Sequence, residues 1–304
     1  MPELPEVQTT VNGLKKTILN QTIKNVWTDL ATKDKRKYDT VSNQKYFLHF
    51  KKKIVGKKII SVERIAKNIL INLSGEKTIL VHMKMTGHLL YGEYKLRKQI
   101  NKWEPIHSTS PLSDSFNRFV HFVISFSNGK HLVFSDMRKF GKITLLEKNE
   151  LNSRNKHLKN IGPDPLTKHF NPKILKDRLL KKPKGKIKTV LMDQSIIAGI
   201  GNIYSDEILW RVGILPDRIV SSLKDKEINR IAKTTKAILK KGINLGGDSM
   251  SDYRNIYGEK GKFQLYHKAY RRTKEKCQRK NCKGIIVRKI INGRSAHFCN
   301  THQK

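Results

Sequence analysis

After Pro5, the apolar residues Val7, Val11, Leu14 and Ile18 recur at four- and three-residue steps, the spacing of one face of an amphipathic helix. From about residue 58 to 147 the pattern shortens to β-branched runs at 59–65, 69–73, 78–83, 119–126, 131–134 and 143–146. Repeated short runs of this kind predict the strands of a β-sandwich. The lysine-rich, interrupted stretch 33–58 predicts a solvated excursion between strands. Residues 149–166 are polar and then proline-rich, as an inter-domain connection should be. Beyond them the period is helical at 187–193, 203–212 and 224–242. Gly246-Gly247 ends that region, and a flexible loop at 258–261 leads into a cysteine-bearing tail. The pattern divides the chain into a sandwich domain at 1–148, a linker at 149–166, a helical domain at 167–265 and a small module at 266–304.

Charge adds a partner to this outline. Against 25 Asp+Glu stand 63 Lys+Arg, a net charge of +38, which points to a polyanion held by salt-sensitive attraction. Charge does not separate DNA from RNA, and an anionic membrane surface is the other possibility. No apolar run approaches the ~20 residues of a membrane span, so a soluble protein is expected. The N-terminus lacks a charged-then-apolar leader pattern, and all three cysteines lie from Cys277 onward. A reducing intracellular compartment, cytoplasmic or nucleoid-associated, fits these features.

Three places carry candidate chemistry. Cys277 and Cys282 are followed after sixteen residues by Cys299, and then by His302 at a two-residue spacing. Four soft ligands in two pairs read as one closed, structural zinc site, with the runs 285–287 and 295–298 forming the hairpin between them. The alternative is unpaired cysteines beside an incidental histidine. In the segment 191–204, Gly199 and Gly201 precede Asn202 at the start of a helix, where free N–H groups and the Asn202 amide could bind phosphate. An ordinary helix connection with Asn202 as N-cap is the other reading. Cleavage of Met1 would leave Pro2 as a free secondary amine beside Glu3. An α-amino group, with a pKa of roughly 7.7 to 8.0, is partly neutral and nucleophilic at pH 7. Taken locally, Pro2 and Pro5 could equally do no more than start a helix.

Distant segments together resemble the formamidopyrimidine-DNA glycosylase family from Pro2 to the C-terminus. They are the Pro-Glu-Leu-Pro-Glu start, Arg64-Ile65-Ala66-Lys67, His82-Met83-Lys84-Met85-Thr86-Gly87, 136–141, 161–166, 192–207, 261–264 and the cysteine tail. The resemblance implies an α+β multidomain protein: an N-terminal β-sandwich with flanking helices, a C-terminal helix-two-turn-helix domain and a β-hairpin zinc finger. It further implies a monomeric base-excision enzyme that removes oxidised purines such as 8-oxoguanine and formamidopyrimidines from duplex DNA and cuts the strand by β,δ-elimination. Pro2 would attack the anomeric carbon of a flipped nucleotide, with Glu3 acting at the sugar ring oxygen and Lys67 approaching the damaged nucleotide and its phosphate. Asn202 and Arg294 match phosphate-clamping residues. Met85, Arg138 and Phe140 match the wedge that fills the vacated stack, and 252–262 a segment over the extruded base.

Several positions depart from the family pattern. His302 stands where cysteine is usual, the first zinc pair is more widely spaced, Gln8 replaces a glutamate, Met137 a proline, and Tyr270-Arg271-Arg272 a Tyr-Gly-Arg. No proposed catalytic group is lost. Two rivals remain at this stage: an endonuclease VIII-like enzyme for oxidised pyrimidines, and a non-catalytic zinc-containing nucleic-acid-binding protein.

Overall fold

The computed structural model describes residues 1–33, 39–147, 150 and 158–304. Part of the expected linker, residues 149 and 151–157, lies outside the described residues. The chain forms two compact units, Met1–Leu158 with Gly246–Lys262, and Lys159–Leu245 with Phe263–Lys304. Among the described residues no helix is long and apolar enough to cross a membrane.

The first unit opens with α1 (Leu4–Thr17) and β1 (Ile23–Thr28), and continues through α2 (Gln44–Ile54) into β2 (Ile59–Ile65), β3 (Asn68–Leu73) and β4 (Lys77–His82). It goes on with β5 (His88–Gly92), the hairpin β6 (Tyr94–Arg97) and β7 (Lys102–Pro105), β8 (Val120–Phe126), β9 (His131–Ser135) and β10 (Lys142–Glu147). Two four-stranded sheets, ordered β1-β8-β9-β5 and β10-β4-β3-β2, share one apolar core. Phe122, Ile124 and Phe134 meet Val62, Ile71 and Val81 there, and Val7, Val11, Leu14 and Ile18 of α1 pack on the same core. This is the expected sandwich, held by continuous removal of apolar surface from water.

Part of the 33–58 stretch is corrected. Residues 44–54 are a helix rather than a solvated excursion, because Phe50 and Ile54 recur one turn apart and are fully buried among the lysines. Residues 34–38 lie outside the described residues. The strands β1 and β5 also complete the sheets without having been read from the pattern; β1 buries only Ile23 and Val26, and its period is weak.

The second unit contains α3 (Pro172–Leu179), α4 (Ile187–Leu191), α5 (Asn202–Val212), α6 (Asp225–Asn244) and the hairpin β11 (Ile286–Ile291) and β12 (Arg294–Cys299). The hairpin turns through Asn292 and Gly293, at φ 46° and 73°. Such left-handed positions suit the Asn-Gly pair that closes tight hairpins. Residues 246–262, counted with the helical domain in the sequence reading, belong to the first unit.

Candidate functional site

At the N-terminus, α1 starts at Leu4 with Glu3 as its N-cap and Pro5 in the first turn. Pro2 precedes the helix, so the helix-start reading accounts for Pro5 only. Pro2 is buried, and Glu3 is 2% exposed. Their brace is Glu6. Its Oε2 accepts from Glu3 N at 2.7 Å, its Oε1 from Asp248 N at 2.8 Å, and its carbonyl from the Tyr253 hydroxyl at 3.0 Å. Gly247, at φ +84°, passes so close that a Cβ would sit 3.0 Å from Glu6 Cγ. Burial of the brace makes these charge-assisted bonds directional constraints on the terminus.

Lys67 occupies the turn between β2 and β3, after Ala66 at φ 54°, and is 5% exposed. Its neighbour His82 ends β4. Burial, and then the charges of Lys84, Lys67 and Lys142, push the His82 imidazole down to about 3. The ring is therefore neutral, and its Nδ1 accepts from Lys84 N at 3.0 Å. A neutral acceptor inside a lysine cluster lets that cluster keep its positive charge.

The three wedge candidates are joined by a buried knot absent from the sequence reading. Asp136, fully buried, accepts at Oδ1 from the Thr86 hydroxyl and from Arg138 N at 3.3 Å, and at Oδ2 from Gly141 N at 2.7 Å. Arg138 N also donates to Thr86 Oγ1 at 3.1 Å. The loop bearing Met85 is thereby tied to the loop bearing Arg138 and Phe140. The guanidinium of Arg138 lies 4.5 Å from the Phe140 ring centre, and Met85 and Phe140 are 40% and 52% exposed. Apolar side chains held in solvent beside a cation suit insertion into a base stack.

In the second unit, Gly201 is the N-cap of α5 and Asn202 its first helical residue, which corrects the N-cap reading of Asn202. Among the described residues, nothing donates a hydrogen bond to the buried Asn202 Oδ1. The turn before it is shaped by Gln194, whose amide donates to Met192 O and Ile200 O and accepts from Gly199 N, each at 2.8 Å. Arg294 is exposed at the start of β12. Asp206 connects its strand to the helix that Asn202 opens. Asp206 accepts from Lys188 Nζ at 2.5 Å, while His297 of β12 donates its backbone N–H and ring Nδ1 to Asp206 Oδ2 at 3.0 Å. Lys188 Nζ also reaches Asn202 O at 3.4 Å. The next residue, Glu207, accepts from the backbone N–H groups of Lys268, Ala269 and Tyr270 at 2.9–3.0 Å. Burial raises its carboxyl above the usual range, and those donors oppose the shift. The sequence signal for both acids was faint: they stand side by side in a helix of mixed polar and apolar residues.

The metal candidates do converge. Ligand atoms of Cys277, Cys282, Cys299 and His302 all lie within 4.8 Å of one another. The Cys282 and Cys299 sulfurs are 3.7 Å apart, close to the edge of about 3.8 Å expected for a tetrahedron with metal–sulfur bonds of about 2.3 Å. His302 Nε2 donates to Trp210 O at 3.1 Å, which leaves Nδ1 facing Cys277 Sγ at 3.3 Å. That outer bond sets the tautomer a ligand needs. Gly284 is required beside the site, where a Cβ would meet Thr301 Oγ1 at 2.2 Å. These four residues can hold a metal ion.

Comparison with known proteins agrees over the whole chain. Residues 1–143 match the formamidopyrimidine-DNA glycosylase N-terminal domain, and residues 161–254 the formamidopyrimidine-DNA glycosylase H2TH domain. The formamidopyrimidine-DNA glycosylase of Carboxydothermus hydrogenoformans is 36% identical, with 100% of each chain covered. That of Chloroflexus aurantiacus is 35% identical, covering 100% of this chain and 98% of the relative. The Lactococcus lactis Fpg, solved with an abasic-site-containing DNA, aligns at a TM-score of 0.82 and 28% identity over 99% of both chains. The same protein solved with Fapy-dG-containing DNA gives 0.80 at 28% identity, over 99% of this chain and 100% of that one.

Proposed function

Since the chain belongs to the formamidopyrimidine-DNA glycosylase family and is a DNA glycosylase for oxidised purines, we propose that it is bifunctional, with Pro2 as the nucleophile of both base release and strand cleavage. Its partner is damaged duplex DNA, a reading supported by the Lactococcus lactis complexes and by the charge of +38. It works as a monomer inside the cell.

Removal of Met1 frees the Pro2 nitrogen. That amine attacks the anomeric carbon of a flipped nucleotide, the base leaves, and Glu3 assists opening of the sugar at its ring oxygen. A proline iminium has no N–H to lose and stays cationic, so it acts as an electron sink that labilises the neighbouring C–H bond. Successive β- and δ-eliminations then expel the flanking phosphates. Lys67 supplies positive charge toward the nucleotide phosphate, and neutral His82 adds no second positive charge beside it. Asn202 and Arg294 hold backbone phosphate by hydrogen bonds and charge. Met85 and Phe140 fill the gap left by the flipped base, and Arg138 hydrogen-bonds the orphaned partner. Cys277, Cys282, Cys299 and His302 would hold one zinc ion, whose part would be structural, fastening the hairpin.

The observation that carries this reading is the braced terminus: a buried Pro2 outside the helix, with Glu3 and Glu6 fixed behind it. Borohydride reduction of the Met1-processed, metal-loaded protein with an 8-oxoguanine or abasic duplex should yield a covalent complex that Pro2→Gly abolishes. Glu3→Gln should still bind DNA but lose base excision. No trapped complex with wild-type protein would remove Pro2 from the mechanism.

A further inference from the structure

Arg254 heads the fully buried side chains by volume among the described residues, at 1% exposed. An arginine is seldom buried without a dedicated partner. Here the guanidinium meets the Asp114 carboxylate in a forked contact, Nη2 to Oδ1 at 3.2 Å and Nε to Oδ2 at 3.3 Å. Its Nη1 donates to Ser251 O and Tyr253 O at 2.9 Å each, and its face lies 4.7 Å from the Phe116 ring centre. The side chain thus gathers its own segment's carbonyls and fastens them to residues 111–117.

Other contacts repeat the attachment. Gly258, at φ +86°, runs so close to the same residues that a Cβ would lie 2.5 Å from Pro111 O. Asn117 donates to Pro111 O at 2.9 Å and to Gly258 O at 3.4 Å, and is itself held by His88 Nε2 at 2.9 Å. At its other end the segment 246–262 bonds to Glu6 through Asp248 N and the Tyr253 hydroxyl. Glu6 also receives Glu3 N. One stretch of chain therefore spans from the 111–117 cradle to the carboxylate that braces Glu3.

We propose that the Arg254–Asp114 pair is a latch that positions the 246–262 segment, and through Glu6 the Glu3 carboxylate, for release of the damaged base. The inference rests on the reading of Pro2 and Glu3 given above. Arg254 and Asp114 are positioning residues and touch no reacting atom. The latch matters while a base is still attached and Glu3 must meet the sugar in one geometry. An abasic substrate has no base to release, and its hemiacetal sugar opens by itself to the aldehyde that Pro2 attacks, so it depends on Pro2 and not on the placement of Glu3.

Single-turnover excision from an 8-oxoguanine duplex, set beside cleavage of a preformed abasic duplex, separates these steps. Arg254→Met should slow excision about tenfold to a hundredfold, the scale of a small misplacement of reacting groups, and leave abasic cleavage and borohydride trapping unchanged. Asp114→Asn, at a partly exposed position that keeps an acceptor, should fold normally and show an intermediate loss. Arg254→Lys should recover part of the rate. The double variant Arg254→Met, Asp114→Asn should be no worse than Arg254→Met, because the two act through one contact. Parallel loss of both activities, additive losses, or wild-type excision in Arg254→Met would overturn the latch. Wild-type protein that cleaves neither duplex would instead refute the underlying reading, and the latch with it.

Discussion

Asp136→Asn is nearly isosteric, yet it should disable the wedge. The carboxylate presents acceptors in two directions, to Thr86 and Arg138 N at Oδ1 and to Gly141 N at Oδ2. An amide keeps one acceptor and turns the other position into a donor, so at least one buried N–H or O–H faces another donor. A hydrogen bond to a charged group contributes about 1.5–3 kcal/mol, and an unsatisfied buried group costs a further 1–3 kcal/mol or so. Taking about 3 kcal/mol as the net loss, the ordered form of the loop is disfavoured by roughly a hundredfold. Arg138 and Phe140 would then be present but loosely aimed. The assay is 2-aminopurine fluorescence beside an 8-oxoguanine lesion, followed in stopped flow with single-turnover excision. Base flipping and excision should both fall by about tenfold or more, the range expected when a reacting geometry slackens. Affinity for undamaged duplex at fixed salt should hold, since it rests on charge elsewhere. Wild-type flipping and excision in Asp136→Asn would refute the claim that this carboxylate sets the wedge.

Three further outcomes are expected. Asp206→Leu strands the fully buried Lys188 ammonium and should destabilise the second unit by about 3–5 kcal/mol, whereas adding Lys188→Met should recover most of that loss; urea unfolding of the single and double variants measures the recovery, and additive losses would contradict it. Chelation, or Cys282→Ser, should strip amide-exchange protection from β11 and β12 and weaken DNA binding while the sandwich stays protected, because an apparent metal-binding free energy of about 10–16 kcal/mol would be removed from a small hairpin. His82 is depressed to about 3 in the folded chain from an ordinary value of 6.5, so the unfolded chain takes up its proton first and stability falls as pH drops from 6.5 toward 3. The loss reaches about 4 kcal/mol at the acid end. His82→Asn, which keeps an acceptor for Lys84 N, should show a shallower fall over that window, and an identical profile would exclude His82 as its source.

Among elements, those with a strong period were legible in advance. The runs at 59–65 and 131–134 coincide with strands that bury apolar side chains on at least one face, and Val7 to Ile18 lie on a fully buried helical stripe. α2 was hidden because lysines outnumber its buried residues and mask a stripe built on Phe50 and Ile54. For the site, the four residues that can hold a metal ion could be read from spacing, since each pair is local. Pro2, Lys67 and the wedge residues gained roles only by resemblance, and Asp136, Glu6, Asp206 and Arg254 lay inside the resembling segments without any role of their own.

The amino-acid sequence alone carried the sandwich-then-helix order, the pull toward a polyanion, the four candidate metal ligands and the family. The first three follow from periodicity, charge or local spacing and the family from the resemblance of its motifs, all of which survive without coordinates. Tertiary structure decided how the site is held. Asp136 is an ordinary acid until folding buries it against three donors, and Glu6 becomes a brace only when Asp248 and Tyr253 return from more than 240 residues away. Burial far along the chain raises the value of such polar contacts, because a lost partner can no longer be replaced by water.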